Sequence, residues 1–312
     1  MSPTARFLPV LFVAALAGYW LFPDYLVLLT QIAVLATFAL SYDLLQGFTG
    51  IVSLGHAAFF GVGAYTAALI AKAGYTEPVL GLCAAAILCA LLAGVLTPVI
   101  ARGNDLTRLL ITLGVGSLMF EAANRARGLT GGADGMSDFE MGPVLGLFRF
   151  DFAGHTAFFY ALSVLVLVYL ALWRITTSPF GLSLTGIREN PVRMASIGAP
   201  TARHIAVSYM LSGAMAGMAG AVLAQTSVFA SLDMLGFERS AEVVMVTSLG
   251  GTGTLHGVVL GALGFGYLKD LLSTLSPRYW NLGLGLMLMA SVLMLRGGIA
   301  GGLARLRWRR GR

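Results

Sequence analysis

The sequence predicts an all-α integral membrane protein, a polytopic bundle of about 8–10 transmembrane helices, and three observations predict it. Of its 312 residues, 57% belong to the apolar set AVILMFWYC and only 11% are Asp, Glu, Lys or Arg, against about 25% charged in a soluble domain. Mean hydropathy is +0.84. The apolar residues also fall in runs long enough to cross a bilayer, roughly 20 residues each. So few charges cannot solvate a globular exterior, which leaves lipid as the main solvent. A soluble enzyme, a disordered chain and a nucleic-acid reader are thereby excluded. The net charge of +6 reports topology before it reports ligand binding.

The candidate spans in order are 7–22, 25–45, 56–71, 79–100, 106–122, 156–173, 204–224, an interrupted 242–272, and 279–296. The first follows Arg6 and runs from Phe7 to Leu21. It is read as a retained span, although Ala15-Leu16-Ala17 is similar to a leader-cleavage site. The polar connections are Lys72–Pro78, Ala101–Asp105, Ala123–His155, Arg174–Arg203 and Gln225–Ala241. None is long enough for a separate folded unit, so residues 1–312 are expected to form one membrane domain. Cys83 and Cys89 lie six residues apart, on different faces of a helix, and are both expected to be small buried hydrophobes.

Orientation follows from the arginines. Residues 174–203, the chain end from Arg296, and the short connection with Arg102 and Arg108 hold 12 arginines against two acids. The 123–155 and 225–241 connections hold four arginines. The positive-inside rule places the first set in the cytoplasm, with both termini. Nine spans give the wrong parity for that arrangement. Splitting 242–272 at Leu249-Gly250-Gly251-Thr252-Gly253-Thr254 restores it.

Two stretches invite a broken helix. Gly47–Gly63 holds five glycines in 17 residues, including Gly47, Gly50 and Gly55 together with Ser53 and His56; residues 250–266 hold seven, including Gly250, Gly251 and Gly253. A glycine in a helix interior costs about 1 kcal/mol relative to alanine. Irregular backbone at membrane depth survives only where protein or a water-filled cavity satisfies it. Such segments in both halves of a chain are a pointer to a translocation path; close helix packing is the other reading. Asp43 and His56 flank the first stretch. They could relay protons in an ion-coupled carrier, or sit at span ends satisfied by water or a carbonyl. Glu121 and Glu242 are likewise read as terminal and facing water. Gly213, Ala216, Gly217 and Gly220 carry the spacing of close helix packing.

In the 174–203 connection, Asn190 suits an N-cap, Pro191 the first helical position, and Gly198 a left-handed C-terminus. The helix between them has about two turns, too short to be stable alone. It exposes Arg193 and Met194. Docking to another protein and resting on the membrane surface explain it equally. In the opposite loop, Leu129–Met136 reads as a compact glycine-rich turn, and Asp134 makes too poor a carboxylate set for calcium. The only lysines are Lys72 and Lys269, neither in a phosphate-binding loop. No catalytic or metal-binding pattern appears, so no enzymatic activity, cofactor or metal is expected.

Residues Ser41–Tyr65, with Asp-Leu-Leu-Gln-Gly-Phe-Thr-Gly-Ile-Val-Ser-Leu-Gly-His from Asp43 to His56, resemble the signature of branched-chain amino acid ABC transporter permeases. Leu129–Gly135, Gly186–Gly198 and the Gly250–Thr254 region are similar to further motifs of that family, in the same order. The match covers about residues 25–295, and departs from the family at Val258, where proline is usual. Asp43 and Gln46 are more polar than expected. The resemblance implies a multi-pass subunit of a bacterial inner membrane, part of an ATP-driven importer for branched-chain amino acids or a related solute. Other amino acids, urea, amides and aromatic acids stay open. It implies a second homologous permease, two cytoplasmic ATP-binding subunits and a periplasmic substrate-binding protein as partners. Residues 181–199 become a cytoplasmic coupling loop, in which Arg188, Glu189, Asn190, Pro191, Arg193, Met194 and Gly198 form the contact to the ATPase. A standalone ion-coupled secondary transporter is the alternative.

Overall fold

The computed structural model describes residues 3–21, 23–100 and 103–275, with isolated positions 282, 283, 285, 286, 289 and 298. Its helices are α1 (Pro3–Leu21), α2 (Leu26–Asp43), α3 (Ala57–Lys72), α4 (Pro78–Ile100), α5 (Asp105–Arg125), α6 (Arg127–Thr130), α7 (His155–Thr176), α8 (Pro179–Glu189), α9 (Pro191–Ser196), α10 (Thr201–Ser227), α11 (Phe237–Gly250) and α12 (Leu255–Leu275). No strand forms among the described residues. This is the solution lipid demands, because each helix satisfies its own backbone. Six segments have the length and apolarity to cross a membrane: Pro23–Thr49, Pro78–Ile100, Asp105–Arg125, His155–Thr176, Thr201–Ser227 and Leu255–Leu275. The fold class is the expected one. Of the expected span at 279–296, only positions 282, 283, 285, 286 and 289 are among the described residues.

Local chemistry sets the helix starts. Asn104 Oδ1 accepts the Thr107 N–H at 2.8 Å, capping α5, and Ser178 Oγ accepts from Gly181 N at the start of α8, where Pro179 holds the first helical position. These side chains satisfy donors that a helix start leaves open.

Small residues decide the packing. On α4 the buried positions Gly81, Ala85, Cys89, Ala93 and Thr97 recur every four residues and face α10. A Cβ on Gly217 would lie 2.6 Å from Cys89 Sγ, so the backbones approach as the small-residue spacing requires. The rest of α4 is largely lipid-exposed, which corrects one expectation: Cys89 is buried, but Cys83 is exposed. An apolar medium accepts an outward thiol as readily as a core does.

The two ends of the bundle are distinct. At one, Met136 and Ala230 exchange backbone hydrogen bonds of 2.8 and 2.9 Å, joining the 131–154 and 228–236 connections. There also Lys72 pairs with Asp138 at 2.7 Å, and Glu77 accepts from Leu145 N. At the other end lie α8, α9 and the breaks at 50–56 and 251–254. The interrupted 242–272 stretch is indeed two helices. Only residues 251–254 interrupt it, however; Gly257, Gly261, Gly264 and Gly266 lie inside regular α12.

Candidate functional site

The two glycine-rich breaks, some 200 residues apart in sequence, meet. Helix α2 does not stop at Asp43 but widens into a π-helical turn, Leu44–Thr49, and ends at Gly50, whose φ of 78° is left-handed. The chain then runs without regular secondary structure through Ile51–Gly55 to start α3. At the turn, Asp43 Oδ1 accepts the Gly253 N–H at 2.8 Å. Gln46 Oε1 accepts the Thr247 hydroxyl at 3.1 Å. A Cβ on Gly47 would run into Gly253 N, so glycine is what allows the two segments to touch. The second break therefore closes onto the first through one carboxylate, one amide and a glycine.

Arg188 reaches this junction from α8. Its Nη1 donates to the Gly47 carbonyl, and its charge acts on the Asp43 carboxylate. Its stem fills the space beside Gly50, where a Cβ would lie 3.2 Å from Arg188 Cβ. Asp43 Oδ2 is buried without a hydrogen-bond partner among the described residues. Asp43 is fully buried, so it does not face water at a span end. The chain turns back beyond it and encloses it.

Asn190 ends α8 and begins α9, its Oδ1 accepting the Arg193 N–H at 2.9 Å. Pro191 follows at the first helical position, and Gly198, with φ of 88°, closes the segment while Ala199 N bonds back to Met194 O at 3.1 Å. Met194 rests against Gly186, and Glu189, Asn190, Pro191, Arg193 and Gly198 are exposed. Of the expected coupling residues, Arg188 alone points inward to the junction.

His56 is a separate, enclosed group. It is fully buried between Phe38, Tyr42 and Phe59, at ring-centroid distances of 5.5, 5.3 and 5.8 Å. Ser41 Oγ donates to Phe38 O and Ser212 Oγ to Ser41 O, both at 2.6 Å. Each hydroxyl has one proton, so His56 Nε2, 3.0 Å from Ser41 Oγ, is the donor in that contact. That fixes the tautomer and leaves Nδ1 without a partner among the described residues. The ring clamps α2, α3 and α10 together. Ser53 N donates to Tyr42 OH at 3.4 Å. Gly55 abuts Thr112 O, which locks this irregular segment against α5. Gly250 meets the Gly257 carbonyl, and Gly251, with φ of 104°, donates to Thr247 O at 2.9 Å.

A third cluster was not foreseen. Glu242, expected to face water, is only 8% exposed; Arg239 Nη1 donates to its Oε2 at 2.6 Å and Lys269 Nζ to its Oε1 at 2.7 Å. Burial is possible because both oxygens are paired. The i, i+3 spacing of Arg239 and Glu242 and a lone lysine in an apolar span were the available signals. Glu121, by contrast, is exposed and pairs with Arg125 at 2.6 Å. Among the described residues, no group of acidic, His or Cys side chains could hold a metal ion.

The family model described as branched-chain amino acid transport system / permease component matches residues 25–293. The high-affinity branched-chain amino acid transport system permease protein LivM of Escherichia coli (strain K12) is 30% identical over 254 residues, 72% of this chain and 58% of that protein. The autoinducer 2 import system permease protein LsrC of Escherichia coli (strain SMS-3-5 / SECEC) is 28% identical over 242 residues, covering 73% of this chain and 66% of that protein. A solved chain of PsaBC from Streptococcus pneumoniae in complex with Fab aligns with a TM-score of 0.47 at 14% identity, over 95% of this chain and 99% of that one, a likeness too slight to argue from. The chain spans under three fifths of the length of the LivM relatives it matches. An all-helical bundle with apolar spans, two joined glycine-rich breaks and a family match over most of its length belongs to the branched-chain amino acid transport permease-component family.

Proposed function

We propose that the chain is the membrane-spanning permease subunit of an ATP-driven importer in a bacterial inner membrane, acting as one domain over residues 1–312. It pairs with a second homologous permease, takes solute from a periplasmic binding protein, and is driven by two cytoplasmic ATP-binding subunits. Branched-chain amino acids are the first candidate solutes. The observation that supports this reading is the Arg188 link. Helix α9 is short, capped and exposed, and one residue before its Asn190 cap neighbour Glu189 stands the side chain that holds the Gly47 carbonyl. Coupling loop 181–199 thus touches the junction of both breaks. A push on α9 by an ATPase subunit moves α8, and α8 pulls on Gly47 while Asp43 carries Gly253 along. Two weak points of the helix framework then shift together, as alternating access requires.

The test is purification of the complex from native membranes in mild detergent. An ATPase subunit should co-purify with the wild-type chain and be lost or uncoupled with Arg193→Glu. A complex with no ATPase partner, or solute movement by this chain alone in proteoliposomes, would overturn the reading.

A further inference from the structure

Beyond α12 the chain meets the junction again. Gly298 is buried, with a left-handed φ of 68°, and a Cβ there would run into Gly251 N and lie 2.8 Å from Gly250 C. A third glycine therefore closes on the second break, at the end of the bundle that carries α8 and α9. Five residues further on begins 303–312, a stretch with five arginines and no acid, together with Leu303, Leu306 and Trp308. We propose that this stretch binds the headgroups of anionic phospholipids, and that through Gly298 it makes the second break respond to the charge of the lipid. The binding does not depend on the importer reading; only its consequence for transport rests on that reading.

Residues 303–312 lie outside the described residues, so their reach is set by Gly298. Arg305 is seven residues on, a span of at most about 25 Å for a fully extended chain, short of the roughly 30 Å thickness of a hydrocarbon core. It therefore meets the membrane on the face where Gly298 sits. The bundle offers this stretch little counter-charge there. Arg174, Arg193 and Arg203 are exposed at that end and enter no ion pair among the described residues. The exposed acids of that end, among the described residues, are Asp105 and Glu189, and Asp105 already stands 3.5 Å from Arg108. Guanidinium groups repelled by the chain's own surface need an anion outside it. A bilayer containing anionic lipid presents one continuously, and each arginine near it adds about fivefold to partitioning. Trp308 and the two leucines favour lipid over an acidic protein surface, because an indole settles at headgroup depth and the leucines enter the acyl boundary. The positive-inside rule uses these arginines only to assign a side of the membrane. The contact of Gly298 with the break adds a consequence. Asp43 Oδ1 ties Gly253 to the first break, so a stretch held at the lipid surface steadies Gly298 and with it the turn that joins both breaks.

The full chain with Trp20, Trp173 and Trp280 changed to Phe keeps Trp308 as its single fluorescent reporter. It is placed in nanodiscs with brominated acyl chains, made of phosphatidylcholine alone or of an even mixture with phosphatidylglycerol. Trp308 should be quenched about twofold more strongly in the mixture. The difference should vanish in about 1 M salt, where the screening length falls to about 3 Å. It should vanish equally when Arg305, Arg307, Arg309 and Arg310 are changed to Gln. Hydrogen exchange of residues 250–254 in the wild-type chain should be about fivefold slower in the mixture than in phosphatidylcholine, and the same in both lipids for the Gln variant. Gly298→Ala, which pushes the chain off Gly251 and keeps every arginine, should retain the quenching and lose the exchange difference. The wild-type comparison needs no substitution, so a misfolded variant leaves the test intact. Equal quenching in the two lipids overturns the lipid site. So does a Trp308 signal that answers to added ATP-binding subunits and not to phosphatidylglycerol, which would assign the arginines to protein. Equal exchange at 250–254 in the two lipids overturns the link to the break. These measurements use this chain alone, so loss of the ATPase partner would end the importer reading and leave the lipid result standing.

Discussion

Asp43 bridges residues 210 positions apart, and each of its two oxygens has a different fate: one is bonded to Gly253 N, the other has no partner among the described residues. Asparagine keeps an acceptor for Gly253, whereas alanine leaves a buried amide unpaired at a cost of about 1–3 kcal/mol. Asp43→Ala should therefore destabilise the chain by about that much and Asp43→Asn by clearly less, read from denaturant unfolding in mixed micelles. Equal losses would mean that the carboxylate charge, and not the bond to Gly253, holds the junction. A pH effect at this scale lies at the surface. Lys72 donates to Asp138, and that hydrogen bond holds the Asp138 carboxyl below the usual carboxylate range. A carboxyl depressed in the folded state stabilises above its unfolded pKa, and the contribution fades as pH falls through the folded value. Because the pair is exposed and screened, Asp138→Asn should leave the thermal midpoint at neutral pH nearly unchanged and merely flatten its fall on the acid side.

At the scale of elements, what was legible in the sequence was what depends on neighbours along the chain. Asn190, Pro191 and Gly198 announce a short capped helix because capping and left-handed closure are local. The glycines at 47–55 and 250–253 announce breaks because each lowers helix preference where it stands. Neither stretch could reveal that the two breaks touch, since that contact joins segments far apart in sequence. Glu242 was misread for the same reason: Arg239 is nearby, but Lys269 lies 27 residues away, and only tertiary packing makes the burial affordable. The element most open to a decisive test is α9. Replacing Asn190 by alanine removes a cap worth about 1 kcal/mol, on a helix of six residues that has little else to hold it. Asn190→Gly with Pro191→Gly removes both start signals. In the reconstituted complex these variants should insert normally and lose most solute-stimulated ATP hydrolysis; full stimulation would make α9 a mere connector. Gly55→Leu acts on another segment: its side chain would collide with the Thr112 carbonyl, forcing the 51–55 connection from α5. Overpacking costs typically about 1–3 kcal/mol, so a lower midpoint and impaired uptake are expected, with Gly114→Leu, which meets open space, as the tolerant control.

For the whole molecule, the packing fixes which connections share an end, and the distribution of arginines predicts the compartment each end faces. Met136 and Ala230 join two connections that the sequence had placed on one side, and Arg188 ties the 174–203 connection to the opposite end. Helix α11 runs from the first end to the junction and α12 returns. If the positive-inside rule holds, the α8–α9 end faces the cytoplasm. Cysteine labelling separates the geometric claim from the electrostatic one. Cys83→Ser with Cys89→Ala gives a background free of thiols. Ala133→Cys and Ser196→Cys then place one exposed reporter at each end. A membrane-impermeant maleimide should modify position 133 in spheroplasts and position 196 only in inverted vesicles. Labelling of both from one side would refute the fold, since the two lie at opposite ends of the bundle. Reversed labelling would leave the fold intact but put α9 outside the cell, where no ATP-binding subunit could reach it, and the importer reading would fall while the helix packing stood.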